Sequence, residues 1–248
     1  MKTQWRLIRT SVGENGAWNM ALDEAILMSV SEYKESPTLR LYTWQPGTVS
    51  LGFAQPVQDV DLENLKHEGW GLVRRPTGGK AILHIDELTY SVNAPADDPL
   101  LAGSLLESYR KISKALLAAL AKLRIEAAGD NTHENNKNVS PTYPVCFETP
   151  SNYEITAAGK KLIGSAQARK YGGILQHGAL PISGDITRIT RVLNLLAFQG
   201  RKRAAENLIE RATNLEALLG FAPSWQEVGE AMIAGFSETF DITFVEEQ

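Results

Sequence analysis

The sequence predicts an α+β fold with a mixed or antiparallel sheet and helices packed on it, and three observations carry that reading. Short apolar runs at residues 71–73, 81–84 and 88–92 are too short for helices and are spaced like strands. Two other segments, 105–123 and the one that follows Ser224, repeat their apolar residues at helical steps behind a Ser-x-x-Glu cap. Strand candidates lie mostly before and between the helices.

Taken in order, residues 16–35 read as an amphipathic helix, with Met20, Ile26, Leu27 and Val30 among its apolar residues. Leu39, Leu41 and Thr43 alternate with Arg40 and Tyr42 as in a strand, and residues 49–53 are its candidate hairpin partner, turned at Pro46-Gly47. After the three short strands comes the clearest helix, 105–123. Ser104 and Glu107 fit a capping box, and Leu105, Tyr109, Ile112, Leu116, Leu120 and Leu123 form its expected buried stripe.

Residues 128–144 hold four asparagines, two prolines and few apolar side chains, which predicts a mobile loop leading to Cys146. Residues 153–156 and 162–166 flank Ala158-Gly159 as a β-hairpin, and 173–180 is a further strand. The remainder reads as mainly helical, with Ser224 and Glu227 capping a helix that carries Val228, Met232, Phe236 and Phe240. Nothing demands a domain boundary. One domain over 1–248 is expected, with its core at about 33–245 and residues 182–248 as a helical layer on it.

With 248 residues and 43% hydrophobic content the chain can bury a substantial core. A formal charge of −4 implies no broad positive field, so nucleic acid is not an expected partner. Residues 1–11 lack the apolar core of a signal peptide, and the longest apolar stretch, 116–123, is broken by Lys122. No membrane span is expected, and the cytoplasm is the expected location. The single cysteine excludes an intrachain disulfide and a cysteine-rich zinc site, and the four histidines lack close metal-ligand spacing. Neither a metal nor a cofactor is expected.

Four segments have the composition of a site. Arg74-Arg75-Pro76-Thr77-Gly78-Gly79-Lys80 sits between two strands, where paired glycines expose amide groups and the arginines add positive charge. That suits a phosphate, a carboxylate or a polar acyl carrier arm, and a plain turn with solvated charges fits equally well. The spacing is not that of a P-loop. Cys146 stands at a loop exit in Pro144-Val145-Cys146-Phe147-Glu148, outside any apolar periodic run. A lone cysteine is usually a small buried hydrophobe, but loops on a rigid scaffold are where reactive groups are placed. Gly159-Lys160-Lys161 opens a strand, so only one lysine can face a site. A lysine beside a cysteine favours the thiolate. In Leu175-Gln176-His177-Gly178 the histidine reads as structural before catalytic, because no carboxylate partner can be named from sequence.

Together these segments resemble the biotin/lipoate A/B protein ligase family. Arg74-Arg75-x-Thr77-Gly78-Gly79 ending in His84 is similar to that family's Arg-Arg-x-Ser/Thr-Gly-Gly signature. Gly159-Lys160-Lys161 with Gly164-Ser165-Ala166 is similar to its lysine segment, which carries the family lysine to Lys161. Gln176-His177-Gly178 matches a further segment, and Asn19-Met20-Ala21 with Asp23-Glu24 fits the N-terminal helix. Within the family, Cys146-Phe147, Pro150-Ser151, Tyr153-Glu154, Gly164-Ser165-Ala166-Gln167 and Leu175-Gln176-His177-Gly178 look like the octanoyltransferases that work through a cysteine. Lys80 stands where many ligases carry a third glycine, and His84-Ile85-Asp86 replaces their His-Asp pair.

The resemblance implies a catalytic domain like that of the biotin/lipoate ligases. It implies an octanoyl group passed from octanoyl-acyl carrier protein through a Cys146 thioester to a lysine of a lipoyl-domain protein, with the glycine cleavage H protein as leading acceptor. Cys146 and Lys161 are then catalytic. Arg74, Arg75, Thr77, Gly78, Gly79, Lys80, His84, Gly164, Ser165, Gln167, His177 and Gly178 bind substrate, no cofactor is needed, and a monomer is expected. The alternatives are an ATP-dependent lipoate ligase, an octanoyl amidotransferase between lipoyl proteins, and a non-catalytic protein that binds an acyl group or a lipoyl domain.

Overall fold

The computed structural model describes residues 2–32, 34–129, 154–194 and 198–247. The elements run β1 (Thr3–Glu14), α1 (Gly16–Glu32), β2 (Thr38–Trp44), β3 (Thr48–Leu51), α2 (Leu62–His67), β4 (Gly71–Arg74), β5 (Ile82–His84), β6 (Glu87–Pro95) and α3 (Leu105–Lys122). They continue with β7 (Ala127–Gly129), β8 (Ile155–Ala157), β9 (Lys160–Lys170), β10 (Gly173–Pro181), α4 (Phe198–Arg211), α5 (Leu215–Leu219), α6 (Trp225–Phe240) and β11 (Ile242–Glu247). Eight strands form one sheet in the order β11-β1-β2-β6-β10-β9-β8-β7, and β4-β3-β5 form a second. In the large sheet β11, β1 and β2 are parallel and the other pairings are antiparallel. The α+β class and the mixed sheet are as expected.

The core follows from the alternation of β6. Leu88, Tyr90 and Val92 point to one face and pack with Ile112, Leu116 and Leu120 of α3 and Val228, Met232 and Phe236 of α6. Thr89, Ser91 and Asn93 point to the other face, and they too are buried. That second face is covered by α1, and its buried polar side chains mark where the site is built. Both Ser104 and Ser224 caps form as full capping boxes.

Several local expectations are corrected. β3 does not pair with β2. It leaves the large sheet, runs parallel to β4 and antiparallel to β5, while β2 lies between β1 and β6. Leu105 is 48% exposed at the rim of the α3 start, so the buried stripe begins at Ser108 and Tyr109. The tail is not purely helical, since Asp241 turns the chain with φ 51° and β11 joins the sheet edge. β1 has no clean period-2 pattern, because Arg6 and Arg9 lie among its apolar residues and pair with Glu247 and Glu246. Residues 127–129, at the start of the expected loop, form β7 against β8. Residues 130–144 of that loop lie outside the described residues.

Candidate active site

α1 places Asn19 and Asp23 one turn apart on its inner face. Arg40 of β2, fully buried, donates to Asp23 Oδ1 at 2.8 Å and to Asn19 Oδ1 at 2.6 Å. Ser91 Oγ donates to Asp23 Oδ1 at 2.8 Å, Tyr42 OH donates to Oδ2 at 2.9 Å, and His177 Nδ1 lies 3.5 Å from Oδ2. Burial opposes the charge on Asp23, but the contact from His177 and the charge of Arg40 outweigh it and hold the carboxyl below its ordinary range. His177 therefore has the carboxylate partner that the sequence did not reveal. Its Nε2 lies 2.6 Å from Thr77 Oγ1, which ties the glycine loop to β10 across 100 residues.

Burial pushes the His177 pKa down, and the Asp23 charge only partly offsets that. A histidine depressed in the folded state takes up a proton on unfolding, so stability falls as pH drops below its unfolded value of about 6.5. His177→Asn should flatten the decline in melting temperature below about pH 6.5, measured by thermal melts from neutral to acidic pH. An unchanged slope would show that other groups carry the pH dependence.

The two loop arginines hold backbone. Arg74 Nη1 donates to the carbonyls of Gly52, Phe53 and Gln55 at 2.8, 3.0 and 2.6 Å. Arg75 donates to Ser50 O and Oγ at 2.9 and 3.0 Å and to the carbonyls of Gly78 and Lys80 at 2.8 and 2.7 Å. They fix the loop's shape with carbonyl partners instead of standing as solvated charges on a plain turn. Gly79 has φ 98°, and its carbonyl packs so closely on Gly52 that a Cβ at Gly52 would come within 1.9 Å of it. A Cβ at Gly78 would meet nothing, and that open side faces a groove lined by Phe53, Pro76, Lys80 and Gln167.

His84 has partners of its own. Trp44 Nε1 donates to Thr89 Oγ1 at 2.8 Å, and the Thr89 hydroxyl donates to Glu87 Oε1 at 2.5 Å. Glu87 Oε1 also lies 2.7 Å from His84 Nδ1, so Nδ1 is the donor there. His84 Nε2 is 2.7 Å from Ser50 Oγ, and Trp44 stacks on the imidazole at 4.1 Å. Asp86, by contrast, turns outward with φ 51° and pairs with Arg188 at 2.7 Å.

Between these groups lies a narrow cavity. Its floor is Met20, Tyr42, Trp44 and Ile82, and its polar wall includes Arg75, His84, Ser165 and His177. Gly164 and Gly178 also line it. A Cβ at Gly178 would fall 2.6 Å from both Ser165 Oγ and Tyr90 Cε1, so only glycine lets β9 and β10 close this wall. Tyr90 OH is 2.7 Å from Ser165 Oγ and accepts from Gln176, which accepts in turn from Gln167. Burial raises the Tyr90 phenol to about 12, so it stays neutral and available as a donor. Six predicted residues thus meet at the cavity: Arg75, His84, Gly164, Ser165, His177 and Gly178. Gly78, Gly79, Lys80 and Gln167 line the outer groove instead.

The lysine pair divides as alternation requires. Lys160 reaches α4 and donates to the Ile209 carbonyl at 2.6 Å. Lys161 is 4% exposed and forms an ion pair with Glu154. That partner was missed as an acidic contact, although Tyr153-Glu154 was noted as a motif. Cys146 lies outside the described residues. Among the described residues no cluster of three or more His, Cys, Asp or Glu could hold a metal, and no helix is long and apolar enough to cross a membrane.

The site is thus an apolar-floored cavity with a polar wall, and a buried lysine lies on the strand that supplies Gly164 and Ser165 to that wall. The lipoyl protein ligase A/B catalytic domain family matches residues 15–237, and the chain belongs to that family. Its curated relatives include the octanoyltransferase LipM of Kyrpidia tusciae, 42% identical over 94% of this chain and 86% of that protein. The octanoyltransferase LipM of Carboxydothermus hydrogenoformans is 41% identical over 97% of this chain and 88% of its own length. Among solved structures, the bipartite lipoate protein ligase of Thermoplasma acidophilum matches with a TM-score of 0.79 at 28% identity, over 99% of this chain and 87% of that one. A lipoate-protein ligase A bound with ATP matches with a TM-score of 0.77 at 29% identity, over 100% and 89% of the two chains.

Proposed function

We propose that this acyltransferase moves an octanoyl group from octanoyl-acyl carrier protein to a lysine of a lipoyl-domain protein, through a thioester on Cys146. The observation that carries the reading is the cavity in which motif residues from four separate segments meet over an apolar floor. The relatives named for octanoyl transfer, 36–42% identical over nearly the whole chain, support the same activity. The Cys146 thiolate attacks the carrier thioester carbonyl, the carrier thiol leaves with a proton, and the acyl group rests on sulfur. The acceptor's neutral amine then attacks the enzyme thioester, an amide forms, and Cys146 is released. Thioester exchange is nearly balanced and aminolysis is downhill, so no nucleotide is required. The glycine cleavage H protein is the leading acceptor, the cytoplasm the setting, and one domain over 1–248 acting as a monomer the working unit.

Transfer to a purified lipoyl domain should proceed from octanoyl-acyl carrier protein without ATP or Mg²⁺, read by the mass of the acceptor. Transfer only from octanoate plus ATP would replace this reading with that of a ligase.

Lys161 is the cation offered to Cys146, and Glu154 holds it in place. An ammonium near a thiol favours the thiolate, and an unperturbed cysteine is only a few per cent thiolate at pH 7. Lys161→Ala should slow transfer and move the pH profile of iodoacetamide labelling of Cys146 upward, while Lys161→Arg restores part of the activity. Lys160→Ala should leave the profile in place. Equal behaviour of the two alanine variants would remove Lys161 from the mechanism.

A further inference from the structure

We propose that Ile82 sets the length of acyl chain the enzyme accepts, by standing as the partition between two cavities. The inference rests on the acyl-transfer reading of the site. The first cavity is the narrow one walled by His84, Gly164 and His177. The second lies beyond the edge strand β5, between Ile82, Pro181, Ile189 and Leu208. Ile82 is the one described residue that lines both.

The register explains why. Ser50 pairs with Ile82 and Thr48 with His84 across β3 and β5, so Ile82 and His84 project from the same face of the small sheet. Ile82 is buried there at the open edge of β5. Beside it, His84 on the first cavity is hydrogen-bonded to Glu87 on the second at 2.7 Å. A chain that runs from one cavity toward the other therefore ends against Ile82.

The first cavity touches the strand that carries the lysine, and the second touches the segment paired with that lysine. Gly164 and Ser165 of β9 line the first. Ala212 and Thr213 line the second, where Ala212 bridges to Lys161 and Thr213 N donates to its carbonyl at 3.0 Å. Whichever cavity takes the tail, removal of the Ile82 side chain opens it toward the other.

Shortening Ile82 to alanine removes three carbons from the partition. Each further methylene that finds apolar room strengthens binding about fourfold, so four added methylenes are worth on the order of 100-fold when fully buried. An enlarged side chain acts in the opposite sense and excludes the end of the octanoyl chain.

The test measures hexanoate, octanoate and dodecanoate binding by calorimetry, and transfer from the matching acyl-carrier proteins, for wild type, Ile82→Ala, Ile82→Val and Ile82→Phe. Expected is a rise of at least about tenfold in the dodecanoyl-to-octanoyl ratio for Ile82→Ala, with a smaller rise for Ile82→Val. Ile82→Phe should raise the hexanoyl-to-octanoyl ratio. Thermal melts show which variants fold, and if Ile82→Ala does not, the valine and phenylalanine variants carry the comparison. Folded variants that keep the wild-type ratios overturn the proposal, as does an equal loss for every chain length. Wild-type protein that binds octanoate yet transfers nothing would sink the acyl-transfer reading instead, and the fatty-acid binding ratios would still report on the partition.

Discussion

Cys146→Ala should abolish octanoyl transfer, with a fall on the order of 10⁴-fold or more, the scale seen when the group that forms the covalent intermediate is removed. The effect belongs in the rate and not in acceptor affinity. Described residues supply the cavity, the glycine loop and the His177–Asp23 and His84–Glu87 pairs, and the substitution changes none of those side chains. Octanoate binding by the variant should therefore stay near wild type while transfer is lost. Transfer at the wild-type rate would show that sulfur carries no acyl group, and the acyl chain would then pass directly from donor to acceptor. Cys146→Ser is the informative companion, because a hydroxyl at this position is a far weaker nucleophile and an ester aminolyses more slowly than a thioester. It should retain only a trace of activity.

The second large effect is on stability. Asp23→Ala should cost about 3–5 kcal/mol, since it leaves the guanidinium of Arg40 buried beside no carboxylate. The Asp23–Arg40 contact is 2.8 Å with both side chains fully buried, and Tyr42, Ser91 and His177 depend on the same two oxygens. For a chain of 248 residues that loss lowers the melting temperature by roughly 10 °C, read by calorimetry. Replacing both charges with apolar residues, as in Asp23→Leu with Arg40→Met, should recover much of it, because the penalty is that of an unpaired buried charge. The double variant should nonetheless transfer poorly, since His177 no longer has Asp23 at its Nδ1 and the Thr77 contact loses its anchor. A single Asp23→Ala variant as stable as wild type would mean that Arg40 finds other partners without cost.

How much of this was legible in the sequence depends on the range of the interaction. Local signals held. The Ser104 and Ser224 caps, the turn at Ala158-Gly159 and the period of α3 are decided within a few residues of chain, and the structure forms each of them. The strand pairing of β3 was lost because Pro46-Gly47 marks a change of direction without saying which sheet receives the chain. β1 and β11 were lost because the partners of their charged residues lie far along the chain, Arg6 pairing with Glu247 and Arg9 with Glu230 and Glu246.

At the site the same division appears. Arg75, His84, Gly164, Ser165, His177 and Gly178 of the cavity lining were among the expected site residues, and Lys161 and Lys160 separate as alternation demands. The partners were not visible. Asp23 reaches His177 across more than half the chain, Glu87 reads locally as the first residue of a strand, and Ser50 as a small residue in an apolar run. One signal was available. In Leu88-Thr89-Tyr90-Ser91-Val92-Asn93 a strand alternates apolar and polar residues, and in the centre of a sheet its polar face must be covered by something polar. That face turned out to be the Asp23 network.

The central claim is that the acyl group rests on Cys146 without nucleotide activation. Its most direct measurement is the intact mass of the protein after mixing with octanoyl-acyl carrier protein in the absence of ATP, followed by peptide mapping. The predicted result is one added octanoyl group per chain, removed by hydroxylamine and located on Cys146. An unmodified protein under these conditions, together with acyl transfer that occurs only when octanoate and ATP are supplied, would contradict it.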